Sequence, residues 1–118
     1  MIFTIKGQLP SLNEYTRACR TNHIVGAQMK KDAEQYISVF LRKCEPIKGS
    51  VYVKFTWYEP NNKRDPDNVV FAKKFILDAL VSKGLIEGDG RKFIKGFSDT
   101  INTDTKNPRI EVEITQAQ

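Results

Sequence analysis

The sequence predicts an α+β fold: a small mixed β-sheet with two main helices, in the order β-α-β-α-β-β. Three observations carry this. Residues 50–60, "SVYVKFTWYEP", alternate apolar and polar positions, the period of a half-buried strand. Two longer stretches, 27–44 and 67–84, change to three-four spacing and read as helices. Short β-branched runs lie at both ends of the chain. The 118 residues suit a single domain, residues 1–118.

In chain order, "IFTIKG" is a first strand, rich in β-branched and aromatic residues. Residues 8–28 contain Pro10, Ser11, Asn13, Asn22 and Gly26 without a sustained period, and predict a long, partly irregular loop. From Ala27 to Cys44 the positions Met29, Ala33, Tyr36, Ile37, Phe40, Leu41 and Cys44 line one face of a core-facing helix. In the alternating strand at 50–60 Val51, Val53, Phe55 and Trp57 share one face, and Tyr52, Lys54, Thr56 and Tyr58 the other. Trp57 and Tyr58 fit sheet packing better than a base-stacking platform.

The next helix starts at "RDPDN". Pro66 disfavours helical angles at Asp65, so Asp65 takes the N-cap position, Pro66 the first helical position and Asp67 the first turn. The following residues are apolar on most of the helix surface, which predicts burial against the sheet or a second subunit. Lys83-Gly84 ends it. "LIEGDGRK" is a turn-rich acidic connection. "FIKGFSDTIN" and "PRIEVEITQ" are two last strands joined by the polar turn "TDTKN".

Composition narrows the function classes. Nineteen Lys and Arg against fourteen Asp and Glu give a net charge of +5, which favours polyanionic partners, chiefly nucleic acid. Cys19 and Cys44 are too few for a disulfide scaffold and fit reduced residues in a cytoplasm. A single histidine, His23, and no Cys-x-x-Cys argue against structural zinc and against a histidine general base. No apolar run predicts a signal peptide or a membrane span.

Asp65 and Asp67 are the residues most open to chemistry. A helix cap explains one carboxylate well and two less well, because each raises the cost of ionising the other. A divalent cation removes that cost, and Mg²⁺ needs few protein ligands. Asp78 is eleven residues past Asp67, about 16 Å along a continuous helix, too far to share an ion. Asp89, between two glycines in "EGDG", is the better third acid, and Glu87 a weaker one. Lys74 lies two turns up from Asp67, and helical side chains lean towards the N-terminus, so Lys74 could reach the acidic end. Lys73 points elsewhere.

From about Leu9 to Ile114 the chain resembles the RusA family of Holliday junction resolvases. "LPSLNEY" is similar to the family's Pro-Ser-x-Asn-x-Tyr segment, bringing in Pro10, Ser11, Asn13 and Tyr15. "RDPDN" is similar to its Asp-x-Asp-Asn core, "LDAL" with Gly84 and Asp89 to its helix end and acidic loop, and "RIEVEI" to its final strand. The resemblance implies a homodimeric, Mg²⁺-dependent endonuclease, with Mn²⁺ as a substitute, that cuts four-way DNA junctions in a bacterial or phage-infected cell. It carries the metal-binding role to Asp65, Asp67 and Asp89. Counting back from "LDAL" places the family's active-site lysine at Lys74. Counting forward from "DPDN" lands on Phe71, so the helix has three extra residues and Lys73 stays an alternative. Gly88 departs from relatives that have an acid there.

Arg17, Arg20, Lys63, Arg64, Arg91 and Lys92 are then candidate phosphate contacts, with Asn13, Asn68 and Lys73 beside them. The two-fold symmetry of a four-way junction suits a C₂ dimer making paired cuts. Two other functions fit the same residues: a metal nuclease for forks or flaps, and a non-catalytic branched-DNA-binding protein.

Overall fold

The computed structural model describes residues 1–117; Gln118, the end of the expected domain, lies outside it. The elements in chain order are β1 (Ile2–Lys6), α1 (Leu12–Thr21), α2 (His23–Val39), β2 (Val51–Glu59), α3 (Pro66–Val70), α4 (Lys73–Ser82), β3 (Ile94–Thr103) and β4 (Arg109–Gln116). The four strands form one mixed sheet in the order β1-β4-β2-β3. β4 runs antiparallel to both β1 and β2, and β3 runs parallel to β2. The fold is α+β, as the sequence predicts. The two last strands do not pair with each other; they flank β2 on opposite sides.

β2 is the middle of the molecule because its alternation is strict. Val51, Val53, Phe55 and Trp57 are buried, and Tyr52 and Lys54 face the solvent side. Ile110, Val112 and Ile114 of β4 and Phe3 and Ile5 of β1 continue the same buried face. Ala33 and Ile37 of α2 and Phe75, Ile76, Ala79 and Leu80 of α4 join them in one core. The apolar surface of the second expected helix is thus used inside this chain. No helix among the described residues is long and apolar enough to cross a membrane.

Three expectations are corrected. The expected loop at residues 8–28 is mostly helical. Ser11 and Glu14 form a capping box: the Glu14 N–H donates to Ser11 Oγ at 3.2 Å and the Ser11 N–H to Glu14 Oε1 at 2.9 Å. α1 is polar on average and buries Ala18; its few apolar residues, Leu12, Tyr15, Ala18 and Cys19, keep a helical spacing over ten residues, and its start signal was also present. α2 then begins at His23, ahead of Ala27. Asn22 explains this, because its N–H closes α1 on the Ala18 carbonyl and its side chain caps α2 at the Ile24 N–H, 2.8 Å away. α2 ends at Val39, where the N–H groups of Phe40, Leu41 and Cys44 shift to three-residue bonds.

The second expected helix is divided at Phe71-Ala72. Bonds from Ala72 to Val69, Lys74 to Phe71 and Phe75 to Ala72 are all of the tighter three-residue type. No Gly or Pro is present to cause the break. Phe71 is instead held by rings: it stacks on Tyr15 at 5.5 Å and meets Phe75 edge-on at 5.5 Å. α4 ends as expected, with Gly84 at φ +70° and the Leu85 N–H bonded to the Leu80 carbonyl at 2.9 Å, a Schellman end.

The α1–α2 crossing is set by Gly26, where a Cβ would lie 2.5 Å from Cys19 Sγ and 3.2 Å from Cys19 Cα. Alanine gains about 1 kcal/mol of helix propensity. Overpacking costs about 1–3 kcal/mol, so the clash wins. Gly26→Ala should lower the urea midpoint. Cys19→Ala in the same chain should restore only part of it, since the added methyl still presses on the Cys19 backbone.

Candidate active site

The segments "LPSLNEY", residues 9–15, and "RDPDN", residues 64–68, are far apart in sequence and adjacent in the fold. Arg64 is the main tie. Its guanidinium donates to the Leu9 carbonyl at 2.9 Å and pairs with Glu14 at 2.6 Å. Asn68 is the second: its Oδ1 accepts from the Asn13 N–H at 2.9 Å, satisfying one of the free amides at the start of α1. Tyr15 is the third, with its ring against Phe71 and Phe75. Ser11, Asn13 and Tyr15 therefore each have a structural task at this junction.

The two acids sit on its exposed side. Asp65 has the extended backbone that Pro66 favours, φ −68° and ψ 156°, but its side chain makes no capping bond. Asp65 therefore occupies the expected N-cap position ahead of Pro66, but without the side-chain bond of a cap. The Asn68 N–H, which an N-cap side chain would take, donates instead to the Asp65 carbonyl and to Asp67 Oδ1, both at 3.0 Å. Among the described residues neither carboxylate is in a salt bridge. Both are exposed.

Asp89 is exposed in the turn after α4. Its charged neighbour is Lys74, whose Nζ lies 3.8 Å from Asp89 Oδ2 and 3.2 Å from Asp78 Oδ1. Lys74 thus reaches forward along α4 towards Asp78 and Asp89. The expected lean back towards Asp67 is not taken, because two carboxylates lie the other way. Asp78 also faces Lys30 of α2 at 3.2 Å. Burial pushes the Asp78 carboxyl up, but Lys74 and Lys30 outweigh it and hold it below its ordinary value. Among the described residues no three Asp, Glu, His or Cys side chains gather into a metal-holding group. The fold therefore joins Asp65 to Asp67 through one helix start, and Asp89 to Lys74, without gathering all three acids.

The remaining candidates divide by engagement. Arg17 and Arg20 are exposed on α1, Lys63 before α3, and Arg91 and Lys92 before β3. Lys73 is engaged: its Nζ pairs with Asp99 of β3 at 2.6 Å and sits 4.5 Å from the Phe97 ring centre. Arg64 and Asn68 are engaged as described. Sequence reasoning did not single out Glu14, Lys30 or Asp99. Lys30 and Asp99 have partners on other elements, so spacing carried no signal; Glu14 was legible as the acid of a capping box but not as the partner of Arg64. The four-residue interval between Lys74 and Asp78 was legible as a helical pair.

The junction predicts that Arg64→Lys lowers stability by about 1 kcal/mol in urea unfolding, because an ammonium cannot serve a carbonyl and a carboxylate with the fixed fork of a guanidinium. Asp78 predicts an acid-side effect. Its folded pKa lies below its unfolded value, so its contribution is present above the ordinary carboxylate range and is lost as pH falls through the folded pKa. Asp78→Asn should flatten that acid limb when the unfolding midpoint is followed from about pH 6 downwards.

No protein-family model matches the chain, and no curated protein matches it.

Proposed function

We propose that this chain is a Mg²⁺-dependent, structure-selective DNA endonuclease that resolves four-way junctions by paired nicks, as a homodimer, in DNA recombination and repair or phage DNA processing. One observation supports this above the others. In a chain of net charge +5, two adjacent carboxylates, Asp65 and Asp67, are left exposed and without a salt bridge among the described residues. They lie where two family-like segments are tied together by Arg64 and Asn68.

The donor set suits Mg²⁺, a hard cation that takes one or two carboxylates and keeps several waters for substrate phosphate to replace. Asp65 keeps both oxygens free of a cap, and Asp67 uses one on a backbone amide. These two would hold the ion, and Asp89, beside Lys74 in the turn after α4, is the third acid of the proposed set. When bound, Mg²⁺ supplies a polarised water and neutralises charge on the phosphate. Lys74, 57% exposed and turned towards Asp78 and Asp89, offers positive charge to DNA phosphate on that side. Arg17, Arg20, Lys63 and Arg91 are exposed towards solvent, as is Lys92 over the Phe93 ring, and their contacts with the DNA backbone would make binding fall as salt rises.

A second reading has its own support. The three acids do not form a metal-holding group, which favours a protein that binds branched DNA without cutting it. One assay separates the readings: labelled four-way, forked and linear duplexes are incubated with Mg²⁺ or with chelator. The expected result is paired, metal-dependent nicks in the four-way junction. Asp65→Asn and Asp67→Asn should each reduce cutting by at least about a hundredfold while retaining binding. Cutting of forks alone would replace the junction target and keep the site. Metal-independent binding without nicks would replace the enzyme.

A further inference from the structure

We propose that Asp78 is the positioning residue for Lys74, and that Lys30 of α2 completes the clamp. The idea rests on the nuclease reading only for its consequence in catalysis; the clamp itself stands on geometry. A lysine side chain that is 57% exposed has many rotamers open to it, and an ordinary surface pair one helical turn away would hold it weakly. Asp78 differs from such a partner because its side chain is only 15% exposed. Its Oδ2 is buried and has no aligned hydrogen-bond donor. A carboxylate so far out of water needs nearby positive charge to stay ionised.

Two ammonium groups supply it from different helices. Lys74 meets Oδ1 and Lys30 meets Oδ2, each at 3.2 Å. Held there, the Lys74 ammonium is 3.8 Å from Asp89 Oδ2, so one partly buried acid directs the cation to the exposed one. Lys30 shares the attraction and joins the clamp to α2. A purely structural role, pinning α2 to α4, would need the Lys30 contact and would not need Lys74 to be ordered.

Side-chain NMR of the Lys74 Cε–Nζ group tests the clamp directly, whatever the protein does to DNA. In Asp78→Asn the Lys74 order parameter should fall towards that of a free surface lysine. In Lys30→Met it should stay or rise, because Lys74 becomes the only cation on Asp78. Unchanged order in Asp78→Asn, or loss of order in Lys30→Met, overturns the proposal. If Asp78→Asn fails to fold, Asp89→Asn at the exposed turn decides: Lys74 keeps its order there if Asp78 holds it, and loss of order overturns the proposal. On four-way junctions Asp78→Asn should lower the turnover about tenfold with the junction affinity unchanged. A wild-type chain that cuts nothing would remove the nuclease reading, while the NMR measurement would still decide the clamp.

Discussion

The helical side of this molecule depends on one junction, where the start of α3 is tied to the start of α1. Arg64 has the geometry for it, since a guanidinium can serve a carbonyl and a carboxylate at once. In doing so it fixes Leu9, the last buried residue before the Ser11 cap, and Glu14, the acid that closes the capping box. Asn68 adds a tie from within α3 by capping an α1 amide. The Tyr15, Phe71 and Phe75 rings fill the space behind these polar ties. α3 has only five residues and could not persist alone. Its position is set by these contacts, and so is the position of the two acids it presents.

The consecutive lysines of α4 show how the same fold divides structural from available charge. Neighbours on a helix point about 100° apart. Lys73 therefore meets the sheet edge, where it pairs with Asp99, which also accepts from Trp57 Nε1 at 2.9 Å. It lies over Phe97 and Phe55, so its charge is engaged within the protein. Lys74 points to Asp78 and the Asp89 turn and keeps more than half its surface in water. This bears on which of the two would serve as an active-site lysine: Lys74 can offer its charge outward without undoing a contact to the core.

Much of the fold was legible because its signals were local. β2 alternates, β4 alternates, α4 ends on Lys83-Gly84, and Pro66 dictates the extended Asp65; each follows from neighbours in sequence. α1 was missed since its stability comes from caps and from α2, while its apolar content is small. The break at Phe71-Ala72 was missed for a different reason: it arises from ring packing against Tyr15, more than fifty residues away. It falls in the stretch where the spacing differs by three residues from that of the family the chain resembles. At the candidate site, the pairing of Asp65 with Asp67 could be read from "DPDN". The burial of Asp78, and the Lys30 that accompanies it, could not, because α2 reaches α4 only in three dimensions.

The two acids at the start of α3 also bear on how their charge is tolerated. A long helix would offset it through aligned peptide dipoles. Five residues supply little of that, and the one amide bond to a side chain goes to Asp67. Arg64, the nearest cation in sequence, is already turned towards Glu14 and the Leu9 carbonyl. Asp65 is left with neither a cap bond nor an ion pair among the described residues. Both side chains are exposed, so water solvates and screens the charge that the protein's own groups leave unpaired. The fold uses its arginine to hold the acids in place and, among the described residues, pairs neither of them with a cation, which is the support for the proposed divalent ion. A simple helix cap would need only one of the two, and would use it.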